Sequence, residues 1–274
     1  MNSLTTLMSG ASLAETLARV EGEIKSRPAD ADLRAAFVQL LCLAGNWTRA
    51  STQLKSWGAL KPQAKPTVTL LEQAVAGEVQ RAAVFAGQAA PTMPGEAFNW
   101  AEGLLSALNA DAAGKSELAE ELRAAAFDAA EVNPGVVKLR ENDQVQALEW
   151  LIDGDGRLGP VCELIVNGRY TWLPFGAISE LRFKAPVSVT DLVWCHTSVR
   201  LIDGSEQVCQ IPVRYPFDAE APDALRLASV TEWQPLDRAG VQFTGQGQKT
   251  WLSGDADYPL LSLEVLTFAE DEAL

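Results

Sequence analysis

The chain has 274 residues, 47% of them hydrophobic and 21% charged, so it can bury a substantial core without disulfide or metal staples. Its 22 basic and 36 acidic residues give a net charge of −14 at pH 7. That surplus repels phosphate backbones and anionic lipid, so neither nucleic acid nor a membrane is expected as a partner, and proteins carrying basic patches are favoured.

Met1 to Gly10 has no basic segment followed by an apolar run, so no secretory signal is expected. No stretch approaches the roughly 18 apolar residues that span a bilayer, and a cytoplasmic location follows. Helices are predicted over residues 12–133. Leu13, Leu17, Val20 and Ile24 make one apolar stripe, Ser12 with Glu15 forms a capping box, and Pro28 ends the helix. A second segment carries Leu33, Phe37, Leu40, Leu41 and Ala44 and breaks at Gly45-Asn46. A third carries Trp47, Ala50, Leu54 and Trp57 and stops at Pro62. A longer helix is expected from about Thr67 to Phe85, then a loop over Gly87–Gly95, then helices around Phe98–Leu108 and Ser116–Val132. Gly45, Ala50, Leu54 and Pro62 follow the spacing of the second half of a tetratricopeptide repeat, in degenerate form.

After Pro134-Gly135 the periodicity changes to short β-rich runs. Strands are predicted at Ala147–Ile152, Val161–Val166, Tyr170–Pro174, Val189–Trp194, Val208–Val213, Leu225–Trp233, Val241–Phe243 and Leu260–Phe268. Asn167-Gly168 between two of them is the strongest hairpin signal. The expected fold is α+β: a helical, tetratricopeptide-like domain over residues 1–136, then a mainly antiparallel β domain over 137–274.

Catalytic patterns are sparse in the sequence. Cys42, Cys162, Cys195 and Cys209 contain no CxxC pair and read as reduced core residues. The lone histidine, His196, adjoins Cys195 on a predicted strand, where neighbouring side chains point to opposite faces and cannot form a thiolate pair. No zinc spacing and no nucleophile elbow occurs. Asp153-Gly154-Asp155-Gly156-Arg157 departs from a calcium loop after its first positions and reads as a polar hairpin. Gly245-Gln246-Gly247-Gln248-Lys249-Thr250 lacks the glycine that precedes the lysine of a phosphate loop. Glu270-Asp271-Glu272 reads as a solvated end. No enzyme, cofactor or metal is therefore expected.

One block is distinctive: Asp153 to Pro160, Glu163 to Phe175, Asp191-Leu-Val-Trp194, Leu201-Ile-Asp-Gly204 and Ile211 to Pro216. With Pro28 to Arg34, Gln39-Leu-Leu41 and Gly45 to Ala50 in the first half, it resembles the ImpE/TagJ (SciE-type) accessory proteins of bacterial type VI secretion systems. Cys195-His196-Thr197 stands where that pattern would place a Pro-Ala pair. The resemblance implies a non-catalytic cytoplasmic adaptor. Its partner would be the small sheath subunit, bound through that subunit's amphipathic N-terminal helix, and through it the sheath-recycling AAA+ ATPase. The alternative is a generic tetratricopeptide-like scaffold for another cytoplasmic protein. Aromatics and arginines are the usual hot spots of interfaces, which makes Arg169, Tyr170, Trp172, Trp194, Arg214 and Tyr215 the candidate partner-binding residues.

Overall fold

The computed structural model describes residues 8, 10–93, 98–141 and 145–269. The Glu270-Asp271-Glu272 tail, most of the Met1 to Gly10 segment and the end of the Gly87–Gly95 loop lie outside the described residues. The helical part contains α1 (Leu13–Ser26), α2 (Ala31–Leu43), α3 (Trp47–Leu60), α4 (Lys65–Phe85), α5 (Trp100–Ala112) and α6 (Ser116–Ala129). Ser12 and Glu15 form the reciprocal box at the start of α1, and Leu13, Val20 and Ile24 are buried. Between α2 and α3 the chain reverses through a left-handed Gly45, φ +70°. The Asn46 amide bonds Leu41 O and the Gly45 amide bonds Cys42 O, which stops α2, and Asn46 then caps α3. Ala50 and Leu54 are fully buried where α3 packs on its neighbours, consistent with a tetratricopeptide-like pair.

The strands are β1 (Gly135–Leu139), β2 (Val145–Leu148), β3 (Ile152–Asp153), β4 (Val161–Val166), β5 (Arg169–Pro174), β6 (Ile178–Phe183), β7 (Trp194–Leu201) and β8 (Glu206–Pro212). A short helix, α7 (Asp223–Arg226), precedes β9 (Thr231–Pro235), β10 (Phe243–Gly247), β11 (Thr250–Ser253), β12 (Ala256–Pro259) and β13 (Leu263–Phe268). Eight strands form one sheet in the order β2-β1-β13-β6-β7-β8-β4-β5, and its pairs are antiparallel. Asn167 (φ 49°) and Gly168 (φ 80°) turn β4 into β5, with Val166 opposite Arg169, as the hairpin signal predicts. The fold is α+β, as expected.

Several predicted strands take a different form: the Leu260–Phe268 run opens with a 3-10 turn at Leu260–Ser262, and of Val241–Phe243 only Phe243 joins a strand. Val189–Leu192 is a 3-10 turn in which Asp191 and Ser188 cap each other, and β7 begins only at Trp194. The Leu225–Trp233 run is split between α7 and β9, and the Ala147–Ile152 run between β2 and β3.

The helices sit on one face of the sheet. Val161, Ile165, Tyr170, Trp172 and Trp194 join the buried residues of α1–α4 in one apolar cluster, whereas Cys162, Leu164, Leu173 and Cys195 join the opposite face with Trp251 and Phe268. Helix α4 approaches closely because it carries Gly77: a Cβ there would stand 2.5 Å from Ile165 Cγ2 on β4. Alanine gains about 1 kcal/mol of helix propensity over glycine, but the collision outweighs it. Gly77→Ala is expected to destabilise by about 1–2 kcal/mol. Urea unfolding of the double-mutant cycle with Ile165→Ala should show the two changes to be strongly non-additive.

Candidate interaction site

The structure brings most of the sequence-named residues together, but in the interior. Glu163 on β4 is fully enclosed, and both its oxygens are committed. Arg81 Nε on α4 donates to Oε1 at 2.6 Å and Arg81 Nη2 to Oε2 at 2.9 Å. Lys249 Nζ stands 2.6 Å from Oε2 and also donates to Asp153 Oδ2 at 2.7 Å. The Tyr170 hydroxyl donates to Glu163 Oε1 at 2.6 Å and accepts from Trp172 Nε1 at 2.8 Å. Trp194 Nε1 donates to Glu78 Oε1 at 3.0 Å, and Glu78 also faces Arg81. Tyr215 donates to Asp153 Oδ1 at 2.8 Å. Arg214 donates to the terminal carbonyls of α2, Leu43 O at 2.6 Å and Cys42 O at 3.0 Å, and to Arg226 O.

Burial alone would raise the Glu163 carboxyl, but Arg81 and Lys249 outweigh it and hold the group below the usual carboxylate range. Asp153, with one cation and with Asp155 beside it, is pushed up by burial. Burial pulls Arg214 down to about 10. Burial and the adjoining carboxylates raise Tyr170 and Tyr215 well above a free phenol. Buried charges persist when paired and hydrogen-bonded, and that condition is met here.

Two sequence readings are thereby corrected. Tyr170, Trp172, Trp194, Arg214 and Tyr215 are each 3% exposed or less, so they offer a partner no surface, and of the six only Arg169 lies outside. The Asp153 to Arg157 segment is not a polar hairpin: β3, at its start, pairs with β11. Asp153 and Asp155 are buried, Asp155 takes Arg157 Nε at 2.9 Å and the Gly245 amide at 3.1 Å, and Asp153 takes Lys249. The glycine-rich stretch that ends in Lys249 is thus the counterpart of the Asp-Gly-Asp-Gly loop.

His196 is half-buried, with Nε2 3.7 Å from Asp191 Oδ1; burial lowers its pKa against the pull of that carboxylate. Burial raises the thiols of Cys42 and Cys209 to about 12 and that of Cys195 to about 11, and it raises Cys162 further. All four are free. Among the described residues no group of three or more His, Cys, Asp or Glu side chains is placed to hold a metal ion, and no helix is long and apolar enough to cross a membrane.

The surface relief lies elsewhere. A hollow of about 470 Å³ opens at one end of the large sheet, where Phe98, Phe175, Ile178, Leu201, Ile202 and Phe268 line it. A second, of about 280 Å³, is lined by Phe127, Trp150, Leu151 and Pro160. Both share Glu131, Val132 and Asn133, in the connection from α6 to β1. Asn133 fixes that connection, donating to Leu151 O at 2.9 Å and accepting from Leu151 N at 2.6 Å. The sequence reading missed these residues. The available signal was an apolar residue inside a turn cluster, Val132 before Asn133-Pro134-Gly135 and Ile202 before Asp203-Gly204.

These features define the class: an α+β protein with tetratricopeptide-like helix pairs seated on one face of an antiparallel sheet. Residues 145–267 match the family described as ImpE protein. The chain is 38% identical over 268 residues to the type VI secretion system accessory component TagJ of Pseudomonas aeruginosa, covering 97% of this chain and 91% of that one. It also superimposes on the crystal structure of protein VPA1032 from Vibrio parahaemolyticus with a TM-score of 0.84 and 27% identity, over 95% of each chain. The chain belongs to the ImpE/TagJ family.

Proposed function

We propose that this chain is a non-catalytic accessory adaptor of a type VI secretion system, acting in the cytoplasm. It binds the small sheath subunit through that subunit's amphipathic N-terminal helix, and so acts on sheath recycling by the AAA+ ATPase. The observation that carries this reading is the relationship, over nearly the full length, to a protein named as an accessory component of that system. The disposition of charge supports it: the acids and bases of the buried junction are spent on one another, and the hollow beside Trp150 is mainly apolar, as suits a binding surface.

The test is calorimetric titration of the full chain with a peptide from the N-terminal helix of the cognate small sheath subunit. Saturable binding, micromolar or tighter, is expected, and it should be lost when the apolar anchors of the peptide become Asp. Absence of binding both to the peptide and to the intact subunit would overturn the reading.

A further inference from the structure

We infer that the paired hollows around Val132 are one docking site, and that they take a partner segment with two apolar side chains flanked by basic residues. The inference rests on the adaptor reading and adds to it a place and a chemistry.

The two hollows are not independent pits. Residues 131–133 run between them and line both. Val132 stands in that divide 72% exposed, and Ile202 on the far rim is 67% exposed. Large aliphatic side chains at that exposure cost solvation unless something covers them. The divide itself is fixed, because Asn133 is buried and pinned at both ends of its amide to Leu151. A preformed divide with a mainly apolar recess on the Trp150 side and, on the other, a mixed one where Ile202 and Leu201 stand with Ser179 and Arg200 receives two side chains of one ligand without reorganising, which limits the entropic cost of binding.

The charge around the hollows is one-sided. Glu131 lines both hollows and has no cationic partner among the described residues. Asp128, Glu149 and Asp203 are exposed in the segments that supply the lining. Arg200 is the one cation in the lining described, and it is engaged by Glu206 at 2.6 Å and Glu180 at 3.6 Å. The rim is therefore net acidic. It favours a basic segment and disfavours a second copy of a chain that itself carries −14.

The test uses the full chain, the same sheath-subunit peptide, and the Val132→Asp and Glu131→Lys variants. Both positions are exposed, so unchanged melting curves should show the variants folded. Val132→Asp is expected to weaken binding about thirtyfold or more, the loss of an anchor contact. Glu131→Lys should weaken it less and reduce its dependence on salt. In 19F spectra of 5-fluorotryptophan-labelled protein, the resonance that Trp150→Phe removes should shift on saturation. If the wild-type chain binds while both variants bind equally well and the Trp150 signal stays still, the hollows are not the site, and the adaptor reading survives. If the wild-type chain binds nothing, both fail. Concentration-dependent dimerisation that Val132→Asp abolishes would give the hollows to a second copy and overturn the inference.

Discussion

Glu163→Ala is expected to lower the free energy of unfolding by about 3–5 kcal/mol, because it leaves Arg81 and Lys249 buried without their shared counter-charge. Against a total of roughly 5–15 kcal/mol for a folded domain, that is about a fifth of the stability or more. Equilibrium denaturation in urea measures it. A control tests the mechanism: Glu163→Gln keeps the volume and part of the hydrogen bonding, yet it should recover little of the loss, since the missing quantity is charge. The pH dependence has a definite sign. Glu163 is held below the ordinary carboxylate value, so its contribution is complete above the unfolded pKa of about 4.3 and is lost as pH falls through the folded value. Asp153, raised by burial, works the other way, favouring the folded state at low pH and losing that contribution as pH rises through its folded value. Removing Glu163 should therefore flatten the acid limb of the stability profile. A variant whose acid limb is as steep as the wild type would refute this assignment.

Trp172→Ala should cost about 3–5 kcal/mol as well, by cavity formation in the cluster between α4 and the β4–β5 hairpin. It should leave partner binding within about twofold of wild type at temperatures where the variant is folded, because the side chain is wholly enclosed and close-packed interiors answer truncation through stability. Arg169→Ala, three residues away and exposed, should change stability by no more than about 0.5 kcal/mol. Paired melting and titration experiments separate the two. A Trp172→Ala chain that melts normally but no longer binds would return the tryptophan to the interface.

Local signals carried the sequence reading, and distant ones escaped it. The α1 box, the Gly45-Asn46 reversal and the Asn167-Gly168 hairpin each depend on residues within one turn of one another, and each is found. Strand β6 was missed because its register slips between Ile178 and Glu180, which breaks the alternation that marks a half-buried strand. The Val189–Leu192 run has strand-like composition, but Asp191 turns back to bond the Ser188 and Val187 amides, and a side chain that satisfies its own local backbone competes with a ladder. The charged junction could not be read at all. Lys249 meets Asp153 across 96 residues and Arg81 meets Glu163 across 82. Nothing in the spacing of either motif says that a buried counter-charge awaits it. The same limit made aromatics at the junction look like hot spots, since tryptophan composition is common to cores and interfaces. The family resemblance, which draws on the whole chain, supplied the expected role but not the junction.

The four enclosed thiols have a consequence for how the molecule ages and how it can be followed. A thiol reacts with oxidants and alkylating reagents as its thiolate, and here the anion is suppressed at neutral pH and the sulfur is out of reach. The native chain should therefore pass through oxidative stress without sulfenic acid formation or crosslinking, and take up maleimide only when a molecule opens. Mass-resolved pulse alkylation then acts as a counter of unfolding events, and a cysteine placed at position 132 becomes a single reactive handle on an otherwise silent protein.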